Sequence, residues 1–126
     1  MLESASVTVF ILLTGIIIIF QGCLAAGMPW GEASMGGKYP GKYPPKMRVV
    51  AVINMLVLVF VAAIVLSHAD LILPQLKSIS RTGIWFVVGF LGLGTVLNTI
   101  TPSKIERIWA PVALIQMIAV IIIAIS

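Results

Sequence analysis

VTVFILLTGIIIIFQGCLAAG, residues 7–27, holds no Asp, Glu, Lys or Arg. A helix needs about 17–25 predominantly apolar residues to cross roughly 30 Å of hydrocarbon, and this stretch meets that length. Working outward, three more uncharged runs follow, at residues 49–67, 82–100 and 109–125. All twelve charged residues lie between these runs or at the start of the chain. Hydrophobic residues make up 60% of the 126 positions and charged ones 10%, against about 25% charged in ordinary soluble domains. Mean hydropathy is +1.17. The pattern predicts a small polytopic membrane protein: an all-α, antiparallel bundle of four transmembrane helices, with residues 1–126 as a single transmembrane domain.

The first run reads as a retained helix rather than a cleaved signal, because residues 1–6 carry Glu3 and no basic residue. The one cysteine, Cys23, falls inside it and reads as a small buried hydrophobe. Basic residues set the expected orientation. The first and third links must share a side, and together they hold Lys38, Lys42, Lys46, Arg48, Lys104 and Arg107. The opposite side has Lys77 and Arg81. This bias places links one and three in the cytoplasm and both termini outside the plasma membrane. Trp30, Tyr39, Tyr43 and Trp109 fall at the expected cytoplasmic boundary and Trp85 at the outer one, where amphipathic rings favour headgroup depth.

Small residues mark expected packing faces. These are Thr8, Gly15 and Gly22 on the first helix, Gly89 and Gly92 on the third, and Ala110 and Ala113 on the fourth. They suit either a bundle or a homodimer. In link two, Pro74 suits a first helical position, and Ile72, Leu76 and Ile79 outline a short interfacial segment. His68 and Asp70 are too few for a metal centre and read as a solvated helix end.

Link one reads MPWGEASMGGKYPGKYPPKMR, residues 28–48. Its four prolines and four glycines exclude a continuous helix or strand, and Tyr-Pro and Pro-Pro favour extended backbone. Lys-Tyr-Pro occurs twice, at 38–40 and 42–44. Such a strap suits an anionic headgroup surface, each cation contributing about 1 kcal/mol. The expected headgroup or partner contacts are Trp30, Lys38, Tyr39, Lys42, Tyr43, Lys46, Arg48 and Arg107. The strap is not a phosphate loop, since no Gly-Lys-Ser/Thr follows a strand.

The strap also carries a resemblance. Pro-Trp-Gly (29–31), Gly-Gly (36–37), Pro-Gly (40–41), Pro44-Pro45 and Arg48, followed later by Asn98, Thr101-Pro102-Ser103-Lys104-Ile105-Glu106-Arg107 and Trp109-Ala110-Pro111-Val112-Ala113, resemble a family of small bacterial four-helix integral membrane proteins. The resemblance spans essentially the whole chain. It implies the four-helix fold and a bacterial membrane location, and it brings no catalytic residue.

Each run also holds one amide near the same side. Gln21, Asn54, Asn98 and Gln116 lie at similar depth, with Glu32, Arg48, Glu106 and Arg107 around the mouth. Polar groups in hydrocarbon need partners and face the bundle interior. Gln21, Glu32, Asn54, Asn98 and Gln116 therefore form a candidate polar pocket, or else hydrogen bonds that hold the helices together. Several chemistries lack their parts. No carboxylate lies within a span for proton-coupled export. One cysteine cannot serve thiol oxidoreduction, and a metal centre needs more His, Cys or carboxylate ligands than are present. The expected function is non-enzymatic, without cofactor or nucleic acid: a protein that binds membrane lipid, anionic lipid included, or a partner membrane protein through the basic, aromatic loop. The alternative is a small transporter or channel that uses the amide layer as its polar path.

Overall fold

The computed structural model describes residues 1–72 and 74–126, except for the side chain of Leu76. Its four long helices are α1 (Leu2–Ala26), α2 (Pro45–His68), α3 (Lys77–Ile100) and α4 (Trp109–Ile125). Each, with the short turn leading into α4, is long and apolar enough to cross a membrane. The uncharged runs mark the helix interiors, and the helices begin several residues before three of them. Those extra turns carry Glu3, Lys46, Arg48, Lys77 and Arg81, which a helix can hold at its wet ends.

Glycine and proline set the ends. Gly27 turns left-handed at φ 98°, and the Met28 N–H reaches back to Cys23 O at 2.9 Å, closing α1. Pro45 opens α2 and Pro111 sits in the first turn of α4, where a missing N–H costs no helical bond. Pro102 follows the end of α3. Pro74 opens a single 3-10 turn that runs directly into α3, so this part of link two is the start of the next helix. The expected Ile72–Leu76–Ile79 face depends partly on the Leu76 side chain, which lies outside the described residues; Ile79 is exposed.

The helices pack in a ring in chain order. α3 lies most extensively on α4, α1 packs on both α2 and α4, and the α2–α3 seam is the thinnest of the four. The main core fills the half of the bundle remote from link one, where Phe10, Val65, Ile84, Val120 and Ile123 are fully buried. Close approach is local. A Cβ on Gly22 would meet Met55 Cε at 3.3 Å, and one on Gly92 would meet Met117 Sδ at 3.3 Å. Gly15 and Gly89 face open space, and Thr8 is exposed with its hydroxyl donating to Ser4 O of its own helix. The seven-residue spacing on α1 therefore does not form one contact face, since only Gly22 meets a neighbour.

A cavity lined by amides at the strap end

Link one folds into a cap. Two 3-10 turns, Gly31–Ala33 and Met35–Gly37, take up its first half. The Gly31 N–H donates to Gly41 O at 2.9 Å, drawing the strap into a closed loop. A Cβ on Gly31 would stand 1.9 Å from the Tyr39 carbonyl oxygen, so this crossing admits only glycine. Ser34 and Tyr43 share a side-chain hydrogen bond, and Ser34 Oγ also donates to Gly31 O at 3.1 Å. Tyr43 is buried with Leu24, Met47 and Ala51. That burial pushes its phenol above the ordinary value of 10.0; the Ser34 bond opposes the shift, while Glu106 and Tyr39 add to it.

Link three locks the cap in place. Ser103 Oγ donates to Glu32 O at 2.5 Å, and the Trp109 indole N–H donates to Ala33 O at 3.0 Å. The Gly36 N–H donates to Glu106 Oε1 at 3.0 Å, and the Thr101 hydroxyl donates to the same oxygen. Links one and three thus close one end of the bundle as a single hydrogen-bonded layer.

Beneath that layer lies a cavity of about 770 Å³, within the roughly 300–1,000 Å³ of small-molecule sites. Its walls are largely apolar, with Ile17, Phe20, Leu58 and Leu91 among them. Several wall residues are exposed on the bundle surface: Val57 on α2, and Phe90, Leu97 and Ile100 on α3. These border the thin α2–α3 seam, so the cavity opens sideways. A second, almost wholly apolar groove of about 540 Å³ continues along the same seam and shares Phe90. Trp109 stands in the cavity wall with its ring 4.8 Å from that of Phe20.

Gln21, Asn54, Asn98 and Gln116 all line this cavity. They do not form one network. Gln116 is buried and its Nε2 donates to Thr14 Oγ1 at 2.8 Å, tying α4 to α1. Asn98 Nδ2 donates to Gly94 O of its own helix at 2.7 Å. Gln21 Oε1 is buried without a hydrogen-bond partner. Glu32 does not belong with them: it is exposed, and only its backbone carbonyl takes part in the cap. Glu106, brought in from link three, supplies the carboxylate of the cavity wall instead.

The expected surface contacts also divide. Trp30, Lys38, Lys42, Lys46 and Arg107 are exposed. Tyr43 is buried and cannot reach headgroups; it is the internal post of the strap. Tyr39 packs partly buried against the same cluster, with its ring 6.0 Å from that of Tyr43. Arg48 is half-buried and folds over Gly27, where a Cβ would meet its Nη2 at 1.8 Å. There it faces the C-terminal end of α1, the negative end of the helix dipole. Arg107 Nε donates to Thr101 O at 3.1 Å. At the opposite end Asp70 pairs with Lys77 at 2.7 Å, and among the described residues no group of three His, Cys, Asp or Glu side chains could hold a metal ion.

Sequence reading did not single out Thr14, Ser34 or Ser103 as polar partners. Thr14 carried a signal, since it lies seven residues before Gln21 and therefore near the same face of α1. The pairing of Ser103 with Glu32 joins residues 71 apart in the chain and had none. No family model, curated protein or solved structure matches the chain.

Proposed function

We propose that this is a non-enzymatic membrane protein that binds one amphiphilic lipid between α2 and α3. The single observation that carries this reading is the cavity itself. It is apolar along its walls, polar where the amides and Glu106 gather beneath the cap, and open to the side at the seam. A lipid has the same division: its chain suits the apolar wall and seam groove, and its headgroup suits the polar end. Apart from the cavity, the exposed Lys38, Lys42 and Lys46 give the strap a cationic outer surface suited to anionic headgroups of the surrounding bilayer.

Transport through the amide layer is the second reading, and the cavity shared by all four amides favours it. Against a standing pore, the remote half of the bundle is filled by Phe10, Ile84, Val120 and Ile123. A solute path would require that core to part.

Gly94 offers the test. It lines the cavity, and a Cβ there meets nothing within 4 Å. Gly94→Leu should fill the site without disturbing the fold. Native mass spectrometry of the protein extracted into nanodiscs should show a retained lipid that Gly94→Leu loses. Gly89→Leu, which also points into open space but away from the cavity, should keep it. Equal lipid retention in both variants would refute the reading.

A further inference from the structure

The polar end of the cavity is unbalanced. Glu106 Oε1 accepts from Gly36 N and Thr101 Oγ1, while Oε2 takes no hydrogen bond and no ion pair among the described residues. Gln21 Oε1 is a second free acceptor. Asn98 has committed its Nδ2 to Gly94, which leaves its carbonyl oxygen as a third. Amide donors are present too: Gln116 Nε2 serves Thr14 and the Trp109 N–H serves Ala33, but Asn54 and the Gln21 amide nitrogen carry no hydrogen bond among the described residues, so the imbalance is one of charge. No Lys, Arg or His lines the cavity among the described residues. Neither Arg48 nor Arg107 lines it: Arg48 folds over Gly27 with its Nε buried and unpartnered, and Arg107 Nε donates to Thr101 O.

Resting on the cavity's role as an amphiphile site, we propose that its polar end selects a primary ammonium group, with Glu106 Oε2 as the counter-charge and the amide oxygens as further acceptors. A carboxylate beside apolar walls is costly unless a cation or strong donor satisfies it. An alkylammonium brings one positive charge and three N–H donors on a small head. A phosphate or carboxylate headgroup would instead set like charges together with no cation between them. The same ammonium chemistry could come from an aminophospholipid of the bilayer or from a free long-chain amine.

Trp109 reports on the site. The chain has three tryptophans, so Trp30→Phe with Trp85→Phe leaves Trp109 alone against the cavity. This protein, in phosphatidylcholine nanodiscs, is titrated with three bromine-labelled dodecyl probes: dodecylammonium, dodecyl maltoside and dodecyl phosphate. Dodecylammonium should quench Trp109 at the lowest concentration. Glu106→Gln should raise its apparent Kd about ten- to a hundredfold, the range of a lost charge-assisted hydrogen bond. The maltoside Kd should hold, because glutamine still accepts from Gly36 and Thr101. Where both constants move, the ratio of the ammonium Kd to the maltoside Kd decides: a ratio that rises supports selection by the carboxylate, and an unchanged ratio overturns it. In a second arm, brominated phosphatidylethanolamine is compared with brominated phosphatidylglycerol as the nanodisc lipid. Preferential quenching by the former identifies a bilayer source, and quenching by added dodecylammonium alone identifies a free amine. Equal affinity for all three probes, or tightest binding of the phosphate, overturns the ammonium proposal and leaves the amphiphile site standing. No quenching by any probe removes the amphiphile site itself.

Discussion

Gln116 of α4 donates its amide N–H to the Thr14 hydroxyl of α1 at 2.8 Å, with both side chains buried. This bond lies in the cavity wall, so it couples helix packing to the shape of the site. Removing one partner leaves the other unsatisfied in an apolar surround. Gln116→Leu and Thr14→Val should each destabilise the bundle by about 0.5–2 kcal/mol. The double variant should cost less than the sum of the two, as thermal unfolding in detergent would measure. Strict additivity would mean that the bond contributes nothing.

Gly31 is the tightest point of the strap. A methyl group there would overlap the Tyr39 carbonyl, which is backbone and cannot swing aside. Gly31→Ala should therefore open the cap and cost about 1–3 kcal/mol, the usual range for overpacking. Gly41→Ala is a contrasting case: its site is open in space but left-handed at φ 76°, so its cost is one of backbone conformation. Trp109 emission should shift red in Gly31→Ala as the bond to Ala33 loosens. An unchanged spectrum and melting point would show that the strap accommodates the methyl group.

Tyr43 makes the cap sensitive to alkali. Its folded pKa is raised above 10.0, mainly by burial. The unfolded chain therefore loses this proton first as pH rises. The stabilisation is complete below the unfolded value and is lost as pH climbs through the folded one. The cap should be indifferent to pH across the neutral range and loosen only above about 10. Phenolate absorbance should show one late-titrating tyrosine that is absent in Tyr43→Phe. A Tyr43 titration at or below the ordinary value would contradict its buried position.

The bias of Lys and Arg between the links gives an expected orientation. With Cys23→Ala as background, a cysteine replacing the exposed Lys38 should resist an impermeant thiol reagent in intact cells and react after permeabilisation. Labelling of intact cells would place the cap and the polar end of the cavity on the outside.

The strap lysines should act through charge. Replacing Lys38, Lys42 and Lys46 with Gln should weaken association with anionic vesicles by roughly 1 kcal/mol per charge at low salt, as flotation would measure. Arg replacements should retain it. Unchanged flotation of the Gln variant would limit these lysines to setting topology.

The sequence by itself determined the four spans, because the lack of charge over about 20 residues is a local property that hydrocarbon reads directly. It also brought Gln21, Asn54, Asn98 and Gln116 to one depth, since a fixed rise per residue converts position in a span into height. Depth does not determine partners. Asn98 bonds its own helix and Gln116 bonds Thr14, because helix rotation and the thin α2–α3 seam depend on how all four helices pack together. Only the tertiary structure exchanged Glu32 for Glu106 in the cavity and buried Tyr43. The first follows from the contact of two links that lie about 70 residues apart, and the second from the strap folding back onto Leu24, Met47 and Ala51; no local pattern of charge or hydropathy encodes either contact.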